Sequence, residues 1–529
     1  MAHLGSRRRR VLALPVGLAL TVSLGFLPTG TATAADSAAA GGPSAPVVTD
    51  GPKLSYVVNT RGGRSTTRSV EKAIGKAGGT VVTTYDRIGV IVVTSQNPDF
   101  AKTVRKVRGV DSAGATRTAP LPSQSTTDLG APQQVTAEEM AAATAKAERA
   151  NQRAGGAAGG SGKALAQDPL EPLQWDLPAI KADKAHEKTL GSRNVTVAVI
   201  DTGVDDTHPD IAPNFDRAAS VNCVSGKPDT ADGAWRPTSE ESPHGTHVAG
   251  EIAGAKNGVG ITGVAPGVKV AGIKASTPAG YFFTEAVVCS FVWAAEHGVD
   301  VTNNSYYTDP WYFNCTTDPD QKALVDAITR ATRYAENKGT VNVAAAGNEN
   351  YDLAADSITD PSSPNDSTPG ERVVDPSKCL DIPTQLPGVV TVASTGAKSL
   401  KSSFSNHGLG IIDVAAPGGD STRYQTPAPP ATSGLILGPL PGGTWGYMAG
   451  TSMASPHAAG VAALLKSTHP HAPAWAIKAL LKVQADDVAC PEAYDIDGDG
   501  QVDAVCEGGK RYNSFYGAGL VDALAAVSK

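Results

Sequence analysis

The chain has 529 residues, 41% hydrophobic and 18% charged, with 45 basic against 52 acidic side chains and a net charge of −7. That length predicts two or more folded units, and the apolar fraction is enough for a sizeable core. The acidic balance excludes a non-specific nucleic-acid binder.

Residues 1–34 read as a secretory signal: Arg7–Arg10 form a basic start, Val11–Leu27 an apolar stretch broken by Pro15, and Ala32-Thr33-Ala34 a small-x-small cleavage site. The apolar stretch is too short and interrupted for a stable membrane anchor. Ser6-Arg7-Arg8 also loosely matches a twin-arginine signal, so the export route stays open. Residues 35–53 are expected to be disordered. Leu54–Asn59 is strand-like, and Thr66–Lys76 is helical, with Val70 and Ile74 four apart. Val81–Tyr85 and Ile88–Thr94 are β-branched runs, and a second helix opens at Pro98 and ends at Gly109. Residues 54–115 therefore form a small α+β unit of βαββαβ order. Residues 116–170 are rich in Ala, Gly, Gln, Ser and Thr and read as a flexible linker with a short helix at Ala137–Ala150.

From residue 171 to 529 strands and helices alternate. Strands are expected at Asn194–Asp201, Val268–Ile273, Val299–Asn303, Val341–Ala345 and Val389–Ala393. Helices are expected at His244–Gly254, Thr284–His297, Ala323–Asn337, Thr451–Ser467 and Ala474–Val483. The alternation implies an α/β fold with a doubly wound, mainly parallel sheet. Such sheets carry their sites at the carboxyl ends of strands, and Asp201, Ser305 and Asn348 all fall just after predicted strands.

Six cysteines on an exported chain favour disulfides, with fifteen full pairings open. Cys490–Cys506 closes a short local loop, while Cys223–Cys289 and Cys315–Cys379 follow only from order along the chain. No C-x-x-C pair is present to suggest zinc.

Three segments carry the chemistry: Asp201-Thr-Gly, His244-Gly-Thr-His-Val-Ala-Gly250 and Gly450-Thr-Ser-Met-Ala-Ser-Pro-His-Ala-Ala-Gly460. A serine hydroxyl needs a base to become a nucleophile, and an imidazole base needs a carboxylate to orient it. With Ala345-Ala-Gly-Asn-Glu349 and Tyr516-Gly-Ala-Gly-Leu-Val-Asp522, these motifs make the chain resemble the subtilisin family of serine proteases from about Trp175 to Ala526. The resemblance implies Asp201 as orienting acid, His244 as general base, Ser452 as nucleophile and Asn348 as oxyanion-hole side chain. His247 lies one turn beyond His244 and is expected to be a hydrogen-bonded structural residue. A metal pair is disfavoured because the spacing is i,i+3 without the glutamate of a metalloprotease helix. Residues 54–115 resemble the ferredoxin-like inhibitory propeptide of such enzymes, with the maturation cut in the linker.

The resemblance also assigns substrate binding to Ser305, Tyr306 and Tyr307, where the family's glycines are replaced by larger residues. Asp381 falls in the stretch resembling the floor of the pocket for the residue before the cut, and Glu349 at its rim. Two acids there imply a preference for arginine or lysine. Asp210 and Asn257 align with a calcium loop of the family, with Glu171 replacing a glutamine ligand. Asp495, Asp497, Asp499 and Asp503 have the oxygen spacing of an EF-hand-like loop, although Cys506 stands where its bidentate glutamate belongs. The expected protein is thus a secreted, monomeric zymogen of a serine endopeptidase. It acts on peptides or proteins, its own propeptide is an intramolecular inhibitor, it needs no organic cofactor, and structural calcium is a candidate ligand. The rival readings are a catalytically dead peptide-binding scaffold and an esterase.

Overall fold

The computed structural model describes residues 51–120, 131–156, 166–422 and 425–528. The expected signal segment, the twin-arginine match and residues 157–162 of the Gly/Ala/Ser run lie outside the described residues.

The first unit is β1 (Leu54–Thr60), α1 (Arg64–Lys76), β2 (Gly79–Tyr85), β3 (Val90–Ser95), α2 (Phe100–Val104) and β4 (Val110–Ala115). Its antiparallel sheet has the order β2-β3-β1-β4. Tyr56, Val58, Ile91 and Val93 on one sheet face pack with Val70 and Ile74 of α1 and Phe100 of α2. The alternate residues Val57 and Val90 face the other way and join a core cluster of the larger unit.

Within the expected linker, β5 (Gln133–Gln134) and α3 (Ala137–Gly156) are ordered elements. The helix is longer than the short one expected, and it is not a free tether: Ala143 and Met140 pack with Leu173, Leu437 and Tyr447. Thr136 and Glu139 satisfy each other's side chains and backbone N–H groups in a capping box that the sequence reading overlooked.

The large unit contains β6 (Thr196–Asp201), β7 (Val221–Asn222), α4 (His244–Ala253), β8 (Lys269–Lys274), α5 (Thr284–Glu296), β9 (Val301–Asn304), α6 (Pro319–Asn337), β10 (Val341–Ala345), β11 (Val389–Thr395) and β12 (Val414–Pro417). These seven strands form one sheet of order β12-β11-β10-β9-β6-β8-β7, parallel throughout. A hairpin, β13 (Ile436–Leu440) and β14 (Thr444–Met448), precedes α7 (Thr451–Thr468) and α8 (Ala474–Val483), and β5 adds to its edge.

The central strand shows why the fold is doubly wound. All of Thr-Val-Ala-Val-Ile-Asp is buried, as expected of a parallel strand covered on both faces. Val197 and Val199 pack with α4, α7 and α8, whereas Ala198 and Ile200 pack with α5 and α6. Proline and aspartate set the start of α6: Pro319 occupies its first turn, and the Asp318 carboxylate accepts from the Asp320 and Gln321 N–H groups.

The small unit rests on α6. Asn59 Nδ2 donates to Ala323 O at 2.9 Å, Ser112 Oγ donates to Asp326, and Arg330 bridges Thr60 O and Asp111. Gly114 lies so near the Asp320 backbone that a Cβ would come within 2.4 Å of its oxygen, so only glycine fits at this contact. All three disulfides join the expected partners: Cys223–Cys289, Cys315–Cys379 and Cys490–Cys506.

Candidate active site

Asp201 ends β6 and is fully buried. Its Oδ1 accepts the Thr202 N–H at 2.7 Å and lies 2.8 Å from His244 Nδ1. His244 is the first residue of α4. Pro243 takes the cap position, and Ser242 serves only through its Oγ, which accepts the His244 N–H at 3.3 Å. Gly245 lets the backbone close over the acid, because a Cβ there would sit 2.4 Å from Gly203 O and 3.0 Å from Asp201 Cβ.

Ser452 lies in the first turn of α7, and α7 packs against α4. Its Oγ donates to Ser305 O at 3.4 Å, and Ser305 Oγ donates back to Ser452 O at 2.9 Å. The serine is therefore tied to the end of β9, without a hydrogen bond to His244, in keeping with the long catalytic contacts of substrate-free sites. Asn348 follows β10. Its Oδ1 accepts from Thr451 N at 2.8 Å and from Thr451 Oγ1 at 2.9 Å, which leaves Nδ2 as the outward donor. At Gly450, the point that a Cβ would occupy is 3.5 Å from both Asn348 Nδ2 and Ser452 N. Asn348 Nδ2 and the Ser452 backbone nitrogen thus lie about one point beside the serine, at a helix N-terminus where anions are favoured.

His247 is fully buried and belongs to a different network. Nε2 lies 3.1 Å from Gly446 O and Nδ1 lies 2.7 Å from Glu251 Oε1. A carbonyl only accepts, so Nε2 carries the proton and Nδ1 accepts from a protonated Glu251. The energetics agree: burial pushes the imidazole down to about 3 and raises the Glu251 carboxyl well above its usual range.

A cavity of about 570 Å³, counting space open to solvent, adjoins Ser452. Ser305, Tyr306, Tyr307, Asn348, Glu349 and Asp381 line it. Tyr306 does not narrow it as a free ring. The ring stacks on Phe282 at 4.5 Å, with its hydroxyl donating to Asn304. Asp381 is buried, Oδ1 has no partner, and burial followed by the Glu349 charge raises its pKa well above the usual carboxylate range. Glu349 reaches the surface, but its carboxylate is tucked against Tyr312 O–H and Asn348 N–H, and desolvation raises its pKa.

Sequence reasoning missed a third acid, Asp309. It is buried, accepts from Phe282 N and Asn365 Nδ2, and is pushed up to about 7 by burial. Its position directly after Ser305–Thr308 was the available signal. Among the described residues no basic side chain lines this cavity.

The two candidate calcium sites part company. At the first, Lys256 Nζ pairs with Glu171 Oε2 at 2.6 Å, nearly buried. Asp210 Oδ2 accepts from Trp445 Nε1 and Ile261 N, while Asn257 Oδ1 accepts from Val259 N and its Nδ2 donates to Pro209 O. Burial pushes Asp210 up to about 7, so a proton can serve its unpartnered Oδ1. What sets the first site apart is the Lys256 ammonium, which occupies Glu171 and places a positive charge in the loop next to Asn257, so Asp210 and Asn257 fit calcium poorly, contrary to expectation. At the second, carboxylate oxygens of Asp495, Asp497 and Asp503 lie within 4.8 Å of one another, a hard-oxygen set that fits calcium. Asp499 does not join them. Its carboxylate is turned to Gln501 N and Nε2.

A seven-stranded parallel sheet, a buried Asp–His pair at its carboxyl edge and a serine at a helix start beside Asn348 are the arrangement of a subtilase. The subtilase family model matches residues 192–519, and the chain belongs to that family. It is 32% identical over 342 residues to fervidolysin of Fervidobacterium pennivorans, covering 62% of this chain and 41% of that protein. It is 31% identical over 306 residues to subtilisin E of Bacillus subtilis (58% and 64%) and 30% identical over 334 residues to subtilisin Savinase of Lederbergia lenta (63% and 98%). The chain thus spans less than two thirds of the length of fervidolysin and of subtilisin E. Among solved structures, two of the epidermin leader peptide processing serine protease of Staphylococcus aureus share the fold, with TM-scores of 0.62 and 0.61 and 23% identity, covering 90% of this chain and 99% and 98% of those chains. No helix among the described residues is long and apolar enough to cross a membrane.

Proposed function

We propose that the chain is a secreted zymogen of a serine endopeptidase. Asp201 holds the His244 ring, His244 takes the Ser452 proton, and Ser452 attacks the peptide carbonyl. Asn348 Nδ2 and Ser452 N–H stabilise the oxyanion, and water then releases the acyl-enzyme through the same base. The observation that carries this reading is the buried Asp201–His244 pair at the end of β6 and the start of α4, with Asn348 Nδ2 and the Ser452 backbone nitrogen about one point beside the serine on the adjoining helix. Residues 54–115 act as the inhibitory domain, and the maturation cut falls between 116 and 170. The three disulfides support folding in an oxidising compartment. Asp495, Asp497 and Asp503 supply a structural calcium site.

The acids Asp309, Glu349 and Asp381 favour arginine or lysine at the residue before the cut. A cationic side chain entering the cavity gains paired charge in a partly desolvated site, and nothing basic in the lining competes for it. The test is fluorophosphonate labelling of the matured enzyme, with loss of label in Ser452→Ala, followed by turnover of reporter peptides. Equal cleavage after Arg, Leu and Phe sinks the basic preference. Labelling with ester but no peptide turnover sinks the endopeptidase.

A further inference from the structure

Beyond β4, the chain continues as a tail that grips the peptidase. Arg117 donates to Glu285 Oε1, and its guanidinium carbon lies 4.1 Å from the centre of the Phe283 ring. Thr118 is held by Asp366, which accepts its N–H at 2.7 Å and its hydroxyl. Glu285 sits in the first turn of α5, where a carboxylate suits the helix dipole. Its side chain is only 3% exposed, and the would-be Cβ of Gly226 lies 2.9 Å from Glu285 Cβ, so the acid has little room to swing outward.

Arg117 is the one ion-pair partner of Glu285 among the described residues, and Glu285 Oε2 has no partner at all. A maturation cut beyond residue 117 removes Arg117 and uncovers Glu285, which is left without its cation in a confined place beside Gly226. A carboxylate so confined and unpaired favours a replacement cation. The adjoining residue Phe282 lines the cavity beside Ser452, and its N–H is held by Asp309. Phe283 of the guanidinium site thus lies one residue along the chain from a wall of the catalytic cavity.

We propose that Glu285 and Phe283 form a second, arginine-recognising subsite for substrate, which Arg117 fills in the zymogen. The site selects arginine over lysine, because a planar guanidinium can stack on the ring while its N–H groups meet the carboxylate, and an ammonium does this less well. The favoured substrate is then a peptide carrying an arginine at a fixed distance from the residue that enters the cavity. This inference rests on the endopeptidase reading and names a specificity determinant for it.

The test uses enzyme matured from the full chain and peptides sharing one cleavable arginine. A second residue is moved through each position N-terminal to it as arginine, lysine or citrulline, whose side chain has a similar shape without charge. At one position arginine should raise kcat/KM over citrulline by roughly tenfold or more, the scale of a charge-assisted hydrogen bond, with lysine between. Glu285→Gln should bring that ratio close to one. Phe283→Leu, which keeps the acid, should erase the advantage of arginine over lysine and serves if Glu285→Gln fails to fold. Turnover with no position favouring arginine overturns the subsite alone, as does a ratio that survives Glu285→Gln. Absence of turnover on every peptide overturns the endopeptidase reading and the subsite with it.

Discussion

Replacing His247 with alanine separates the two histidines of Ser-Pro-His-Gly-Thr-His. The ring is fully buried, and Gly438 packs so closely on it that a Cβ there would lie 2.7 Å from three ring carbons. Truncation removes the hydrogen bonds to Glu251 and Gly446 O, each worth about 1 kcal/mol net, and leaves those buried groups unpaired at roughly 1–3 kcal/mol apiece. A cavity is added, for which large-to-small changes cost about 2–5 kcal/mol. These terms overlap, because a water entering the space would pair the orphaned groups, so we expect roughly 3–5 kcal/mol in all. In a protein of this size each kcal/mol moves Tm by about 2 °C, which gives a fall of about 6–10 °C. The assay is calorimetry of matured enzyme with its serine blocked to stop self-digestion. The companion variant, His244→Ala, matured in trans, should lose turnover while retaining its fold. A His247→Ala protein that melts within a degree or two of the parent, or a His244→Ala protein that still cleaves, would refute the division of roles.

The preference for arginine should weaken in acid. Burial places the Asp309 carboxyl at about 7 and raises those of Glu349 and Asp381, so each is neutral below its pKa and charged above it. The ratio of kcat/KM for arginine over leucine reporters should fall as pH drops through 7, by up to about tenfold per unit for one carboxyl; a flat ratio from pH 8 to 5 contradicts the acidic pocket. Lys256→Met strands the nearly buried Glu171 and should lower stability by about 3–5 kcal/mol, equally in calcium and in chelator. Chelation should lower the Tm of the parent through Asp495, Asp497 and Asp503, and Asp497→Asn should abolish that response. Under mild reductant, Cys490–Cys506, whose residues are half-buried, should open first and the fully buried Cys223–Cys289 last, read by differential alkylation and mass spectrometry.

The alternating strands and helices were legible because a parallel strand covered on both faces is an unbroken apolar run, as in Thr196–Ile200. The hairpin Ile436–Leu440 with Thr444–Met448 was not. Gly438, Pro439 and Gly446 interrupt its β pattern, and what holds it is packing against the His247 ring and α4. In the linker, composition suggested flexibility, but the fate of α3 depended on an apolar surface offered by Leu173, Leu437 and Tyr447.

By itself the sequence determined the fold class, the segments bearing Asp201, His244, Ser452 and Asn348, and the acids near the cavity. Each is written in short-range chemistry: a strand end, a helix start, a run of small residues. Only the tertiary structure decided what those groups meet. It turned His247 toward Glu251, put Lys256 against Glu171 in the expected calcium loop, left Asp499 outside the carboxylate cluster, brought Asp309 into the cavity and seated Arg117 on Glu285, 168 residues away in the chain. Burial and charge pairing depend on neighbours that are distant in sequence, and those neighbours exist only once the sheet and its helices have closed.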